Sequence, residues 1–261
     1  MNYGYMIGAS GMIAAMHRQD VAANNLANIQ TNGFKADASF TIPRAAAREE
    51  TGLMSLPSNK LLERLGGGVL LAPNKINFAQ GTLQTSRNPF DVAIDGNGFL
   101  TVSGPGSKPG TSETRLTRDG RLTLDASGKL VTIADGHSVL DDGGRPITLN
   151  PGRDVAIDGD GTITQGGAAV AKLGFVDVPN RGSLKKVGDG QYALADGSPI
   201  PKESATGRIV QYSTEASGAD PIRAMMDVQS ASDLVGTTAK IMQMHDDLMG
   251  KAINTLGRIT A

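Results

Sequence analysis

Residues 221–259 read PIRAMMDVQSASDLVGTTAKIMQMHDDLMGKAINTLGRI, and an apolar residue returns at every seventh position: Val228, Val235, Met242, Met249 and Leu256. Leu234, Ile241 and Leu248 flank this row on one side. Ala231, Thr238, His245, Ala252 and Ile259 flank it on the other. A seven-residue apolar repeat is the mark of a helix that buries one stripe against a partner. Pro221 suits the first turn, where its missing N–H is no loss, and Asp220 is placed to cap it. A helix of roughly 38 residues is about 57 Å long, more than a small domain is wide. It therefore needs partners along most of its length, because a narrow stripe buries little alone. Gly236, Gly250 and Gly257 each weaken it by about 1 kcal/mol relative to Ala.

The opposite end of the chain carries a second, less regular stripe. Ile7, Ala14 and Val21 repeat every seven residues, and Met6, Ile13 and Met16 widen the row. Asp20 interrupts one possible heptad line. The spacing predicts a helix that stops near Asn28, since Thr31-Asn32-Gly33 is a turn signal. Between the two ends, short alternating runs predict strands: Phe99 to Val102, Arg121 to Leu124, and Lys129 to Ile133. Asp-Gly pairs punctuate them at Asp95, Asp119, Asp135, Asp142, Asp158, Asp160, Asp189 and Asp196. Such pairs fit type I′ turns, with positive φ at both central residues. Even spacing of turns predicts an antiparallel sheet, a barrel or a sandwich. Asp91 to Phe99 and Asp154 to Thr162 nearly repeat, each reading as a short strand and a tight turn. From Lys35 to Phe90, four prolines and Gly66-Gly67-Gly68 predict an extended or partly disordered connection.

Composition narrows the function. The 261 residues carry 25 basic and 26 acidic side chains, so no electrostatic footprint for nucleic acid or an anionic membrane is present. Aromatic residues make up 4% with no Trp, which leaves no base-stacking platform. The absence of Cys excludes disulfides and thiolate metal sites. No apolar run reaches the ~18 residues of a membrane span, so no membrane insertion is expected. The N-terminus lacks the basic flank and unbroken apolar stretch of a cleaved secretory signal.

Several motifs resemble a known family. Ala22-Ala23-Asn24-Asn25-Leu26-Ala27-Asn28, followed by Thr31-Asn32-Gly33-Phe34-Lys35, resembles the signature of the flagellar rod and hook proteins. Gly8 to Met12 fits upstream of it. Asp91-Val92-Ala93-Ile94, with Gly96, Gly98 and Phe99, looks like the start of that family's β-domain, and Thr117-Arg118-Asp119-Gly120 like a second element. Ala216 to Ile222 departs from the segment that the family usually carries before its last helix. The length resembles a rod subunit more than a hook protein, and the long Lys35 to Phe90 connection resembles the distal rod protein more than the proximal one.

The resemblance implies a mainly β fold with terminal α-helices. The N- and C-terminal helices form a coiled-coil-like core, and the central antiparallel β-domain is barrel- or sandwich-like. The implied division is an assembly core in 1–35 and 215–261, an extended linker in 36–90 and the β-domain in 91–214. It further implies a structural subunit of the bacterial flagellar basal-body rod that self-assembles into a hollow helical shaft spanning the periplasm. The partners expected are copies of itself, other rod and hook proteins and the type III export apparatus, with export free of a cleaved signal. The residues expected to make the assembly contacts are Ile7, Ile13, Met16, Val21, Asn24, Asn25, Leu26, Asn28, Gly33 and Phe34 at the N-terminal end. At the C-terminal end they are Val228, Val235, Ile241, Met242, Leu248, Met249 and Leu256.

Three rival readings carry less. A calcium loop beginning at Asp158 would place Thr162 and Ala169 where carboxylates belong. No metal or cofactor is therefore expected. His17, His137 and His245 lie in three separate regions, and neither a nucleophile elbow nor a phosphate loop occurs, so no catalytic residue is expected. A hook-type or secreted β-domain adhesin could share the central region, but it would not need a long apolar stripe at each end.

Overall fold

The computed structural model describes residues 3–45, 66–105, 112–200 and 203–256, which form two compact units. Gly257 and Ile259 lie outside the described residues. The first unit holds both helices, α1 (Tyr3–Ala27) and α2 (Pro221–Leu256), with two strands, β1 (Asp37–Pro43) and β2 (Val69–Ile76). The helices run antiparallel, since Gly4 faces His245, Gly8 faces Met242 and Gln19 Nε2 donates to Ser232 Oγ at 2.9 Å. The small residues let them approach closely: a Cβ on Gly8 would sit 3.2 Å from Met242 Cγ. Ala15 and Ala22 on α1 and Ala224 and Ala231 on α2 are buried. α1 stops at Ala27, close to the expected end near Asn28.

β1 and β2 form a two-stranded sheet inside the stretch expected to be extended. Two side chains of α1 hold it. Asn25 grips the backbone of Asp37 from both sides, donating from Nδ2 to its carbonyl at 2.8 Å and accepting its N–H at Oδ1 at 2.9 Å. Ser10 Oγ accepts from Val69 N at 3.3 Å.

The second unit comprises residues 28–36 and 76–220. Its largest sheet has six strands, in the order β13 (Leu184–Gly188), β14 (Gln191–Leu194), β6 (Ser112–Thr117), β5 (Phe99–Pro105), β12 (Phe175–Asp177) and β15 (Glu203–Ser204). Each neighbouring pair is antiparallel. Around it lie a three-stranded sheet of β9 (Val155–Ile157), β10 (Thr162–Gln165) and β11 (Ala168–Lys172), and three strand pairs. These are β4 (Val92–Asp95) with β16 (Arg208–Gln211), β3 (Leu83–Thr85) with β17 (Ser213–Glu215), and β7 (Leu122–Leu124) with β8 (Leu130–Thr132). The antiparallel expectation holds, but the barrel does not: the sheets among the described residues are not closed. Short strands that leave one sheet for another after a few residues divide the wall into pieces instead of curling it shut.

Strand β5 explains why the core has two parts. Leu100 and Val102 point into a large aliphatic cluster with Val92, Leu122, Leu130, Val139, Ile163 and Leu173. Phe99, on the other face, joins Leu116, Tyr192 and Leu194. There the Phe78 ring meets Phe99 edge-on at 5.6 Å and Tyr192 at the same distance. A strand covered on both faces needs apolar residues at successive positions, and β5 supplies them.

The Asp-Gly turns differ from the expectation. Among the described non-glycine residues, only Asp189 and Tyr212 have positive φ, so of the Asp-Gly pairs only Asp189-Gly190 has positive φ at both positions. The two-residue turns of the left-handed kind are that pair and Gly166-Gly167. In several other turns an aspartate carboxylate accepts from donors just after it. Asp125 accepts from Ser127 and Lys129, and Asp196 from Ser198. Asp160 accepts from Thr162 N at 3.1 Å, Thr162 Oγ1 at 3.0 Å and Lys172 Nζ at 3.1 Å.

These donors favour the charged form. The Asp160 carboxyl is drawn from 3.8 down to about 2, first by the Thr162 backbone N–H, then by its hydroxyl and Lys172. The stabilisation it contributes is complete above 3.8 and disappears as pH falls through about 2. An NMR titration of the Asp160 carboxyl is expected to show a midpoint about 2. In Thr162→Ala the midpoint should move only part of the way back, because the backbone donor stays. An unchanged midpoint in the variant would remove the hydroxyl from this account.

Candidate assembly site

Two arrangements stand out, one in each unit. In the helical unit, α2 leaves a continuous apolar face uncovered. Ile222, Met226, Leu234, Ile241, Met244 and Leu248 fall within one arc of the helix, beside the face that meets α1, and are 43–73% exposed. On α1, Tyr5, Met6, Ile13 and Met16 are 46–57% exposed, on the side away from Gly4, Gly8 and Ala15. Isolated exposed apolar residues are ordinary, but contiguous stripes of this kind mark interaction surfaces. Phe40, Ile42, Leu70 and Leu71 add exposed apolar surface on β1 and β2. Methionine's flexible thioether suits contacts that must fit more than one neighbour.

The second arrangement is a buried ionic clasp in the β unit. Lys35 and Glu215 have fully buried side chains, and that of Arg118 is 2% exposed. Lys35 Nζ donates to Glu215 Oε1 at 2.6 Å and to the Ala79 carbonyl at 2.9 Å. Gly81 N donates to the same carboxylate oxygen at 2.8 Å, and Arg118 Nη1 donates to Glu215 Oε2 at 3.3 Å. Arg118 Nη2 donates to the Gly96 carbonyl at 2.8 Å, and its guanidinium lies 5.2 Å from the centre of the Phe99 ring. Burial draws both cations below their usual values, while the charge and hydrogen bonds of Glu215 oppose the shift.

Backbone bonds reinforce the clasp. Gly33 N donates to the Glu215 carbonyl, and Gly218 N donates to the Phe34 carbonyl, both at 2.8 Å. Gly33 has φ +67°, as its place in the turn predicts. Phe34 is buried, with the Lys186 ammonium 4.1 Å above its ring. Thr31 bonds Asn28 twice, through its N–H to the Asn28 carbonyl at 3.2 Å and through its hydroxyl to Asn28 Oδ1 at 3.1 Å.

The residues singled out from the sequence therefore divide. Ile13, Met16, Ile241 and Leu248 lie on the exposed stripes. Val228, Val235, Met242 and Met249 are half-buried along α2, as are Ile7 and Leu26 on α1, and Val21 is buried. Asn24 is exposed. Asn25, Asn28, Gly33 and Phe34 are engaged within their own unit. Leu256 ends α2, and its surroundings lie outside the described residues. Sequence reasoning passed over Glu215, which follows Thr214 with no motif around it, and gave no role to Lys35 and Arg118 inside the motifs that contain them.

Residues 6–35 match the profile of the flagella basal body rod protein family, and residues 93–165 match that of the flagellar hook protein FlgE/F/G D1 domain. The flagellar basal-body rod protein FlgF of Caulobacter vibrioides is 32% identical over 262 residues, covering 99% of this chain and 100% of that protein. The flagellar basal-body rod protein FlgG of Buchnera aphidicola subsp. Schizaphis graminum is 29% identical over 94% of this chain and 96% of its own length. The flagellar hook protein FlgE of Brucella abortus is 34% identical over a shorter alignment, 51% of this chain and 30% of that protein. Among the described residues, no helix is long and apolar enough to cross a membrane.

Proposed function

The chain belongs to the flagellar basal-body rod protein family, and from that premise we propose that it builds the rod by packing the exposed faces of α1 and α2 against other subunits. The carrying observation is the pair of uncovered apolar stripes, at 43–73% exposure on α2 and 46–57% on α1. A subunit that meets different neighbours in different directions makes contacts that do not close into a dimer, and repetition of such contacts generates a helical tube. In this reading the antiparallel α1–α2 pair becomes part of a coiled-coil-like core around a hollow shaft. The neighbours are copies of this chain, with other rod and hook proteins above and below. The chain reaches the periplasm-spanning rod through the flagellar export apparatus.

The test places charges on the α2 stripe. Leu234→Glu, Ile241→Glu and Leu248→Glu change exposed positions, so the melting temperature of the isolated protein should hardly move. Losing about 1.5–3 kcal/mol of apolar burial at each of three positions weakens a subunit contact by at least about a thousandfold. The triple variant should therefore fail to restore rods and swimming to cells lacking this protein. Intact rods in basal bodies imaged by electron microscopy would reject the α2 face as a contact. The same images of the deletion strain read which rod segment, distal or proximal, is lost.

A further inference from the structure

The clasp joins the two places where the chain turns toward its helices. Lys35 lies eight residues after the end of α1, and Glu215 six residues before the start of α2. Between them stand the Lys35–Glu215 pair at 2.6 Å and the two 2.8 Å backbone bonds linking 33–34 to 215–218. We propose that Lys35, Glu215 and Arg118 are positioning residues for assembly, fixing the spacing of residues 28–36 and 213–220 from which the assembly helices depart. This rests on the assembly reading above.

Three features favour positioning over simple stabilisation. A buried ion pair gains little over apolar groups of the same shape, because desolvation offsets the attraction. Here two cations share one carboxylate, so the cluster carries an excess positive charge, and Arg118 Nε is buried with no hydrogen-bond partner. An arrangement selected only for stability would discard the second cation or give that nitrogen an acceptor. The directional bonds also tie together chain segments about 180 residues apart, where an apolar contact would tolerate sliding. Single buried polar residues that specify one register at some expense of stability are known from helix assemblies.

The test uses the full chain and its lack of cysteine. Spin labels at Gln30→Cys and Ala219→Cys report the distance between the two segments by pulsed electron resonance. The apolar replacement Lys35→Met, Arg118→Met, Glu215→Leu keeps volume, and Lys35→Met alone leaves Arg118 and Glu215 paired should the triple variant fail to fold. Both are expected to melt near the unlabelled protein, to broaden the 30–219 distance distribution at least twofold, and to reduce rod formation several-fold in a complemented deletion strain. A narrow distribution with normal rods overturns the proposal and leaves the clasp a stabilising cluster. So does a loss of rods with the distance unchanged. Should even the unaltered chain fail to restore rods to the deletion strain, the assembly reading falls, while the distance measurement still reports on the clasp.

Discussion

Glu215→Ala is expected to lower the stability of the β unit by about 3–5 kcal/mol, because it leaves two buried cations without a counter-charge. On a chain of this size that is a fall in melting temperature on the order of 10 °C. The loss goes beyond one ion pair, since the same carboxylate accepts from Gly81 N and Arg118. A double-mutant cycle separates the parts: Lys35→Ala added to Glu215→Ala should lower stability less than Lys35→Ala does alone, as it removes one stranded charge. The effect also depends on pH. Burial already draws Lys35 below its usual 10.5, and removing Glu215 takes away what opposes that shift. Unfolded Lys35 keeps its proton up to 10.5, whereas the folded variant releases it at lower pH. In that window the unfolded state binds more protons, so the variant regains stability as pH rises toward 10.5. Urea unfolding at neutral and at alkaline pH measures both quantities. A loss below about 1 kcal/mol would place the pair in the range of exposed ion pairs and contradict its burial.

Gly33→Ala is the second large effect. Gly33 has φ +67°, and an alanine there costs about 1–2 kcal/mol from local sterics alone. Its Cβ would also sit 2.5 Å from the carbonyl carbon and oxygen of Arg118 and 2.7 Å from Asp119 N. These are backbone atoms and cannot swing aside, so a clash of about 1–3 kcal/mol is added. The shift acts on the bond from Gly33 N to the Glu215 carbonyl. Gly136→Ala provides the control, with a similar φ of +70° and nothing within 4 Å of the added carbon. Thermal or urea melts should show a clear loss at Gly33 and the φ penalty alone at Gly136. Equal losses would show that the turn conformation matters and the approach to Arg118 does not.

Legibility followed the range of the interaction. Both helices could be read because their signal is local: a period of 3.6 to 3.5 residues, a proline at the start of α2 and a turn signal after α1. The strands around Phe99, Leu122 and Leu130 were legible from alternation and turn residues. Their partners were not. Asp91 to Phe99 and Asp154 to Thr162 look alike in sequence, yet β9 and β10 pair with each other while β4 pairs with β16 and β5 joins the six-stranded sheet. Gly98 and Gly161 stand at the same place in the two stretches, yet a Cβ on Gly98 would meet the Phe175 ring at 2.4 Å while one on Gly161 would meet Ile209 at 3.2 Å and Leu173 at 3.3 Å, so distant partners and not the shared glycine separate them.

The sequence by itself determined the class of the protein. Periodicity placed a helix at each end and strands between, and the Asn24 to Lys35 run pointed to the rod and hook proteins. Tertiary structure alone decided what the motif residues do. Gly33, Phe34 and Lys35 pack within the β unit, because Glu215, Arg118 and Ala79 come from positions that no local pattern connects to them. A periodic stripe announces itself over a few turns of chain. A buried charge announces nothing until the fold brings its counter-charge to it, and that pairing depends on segments far apart in sequence meeting in one place.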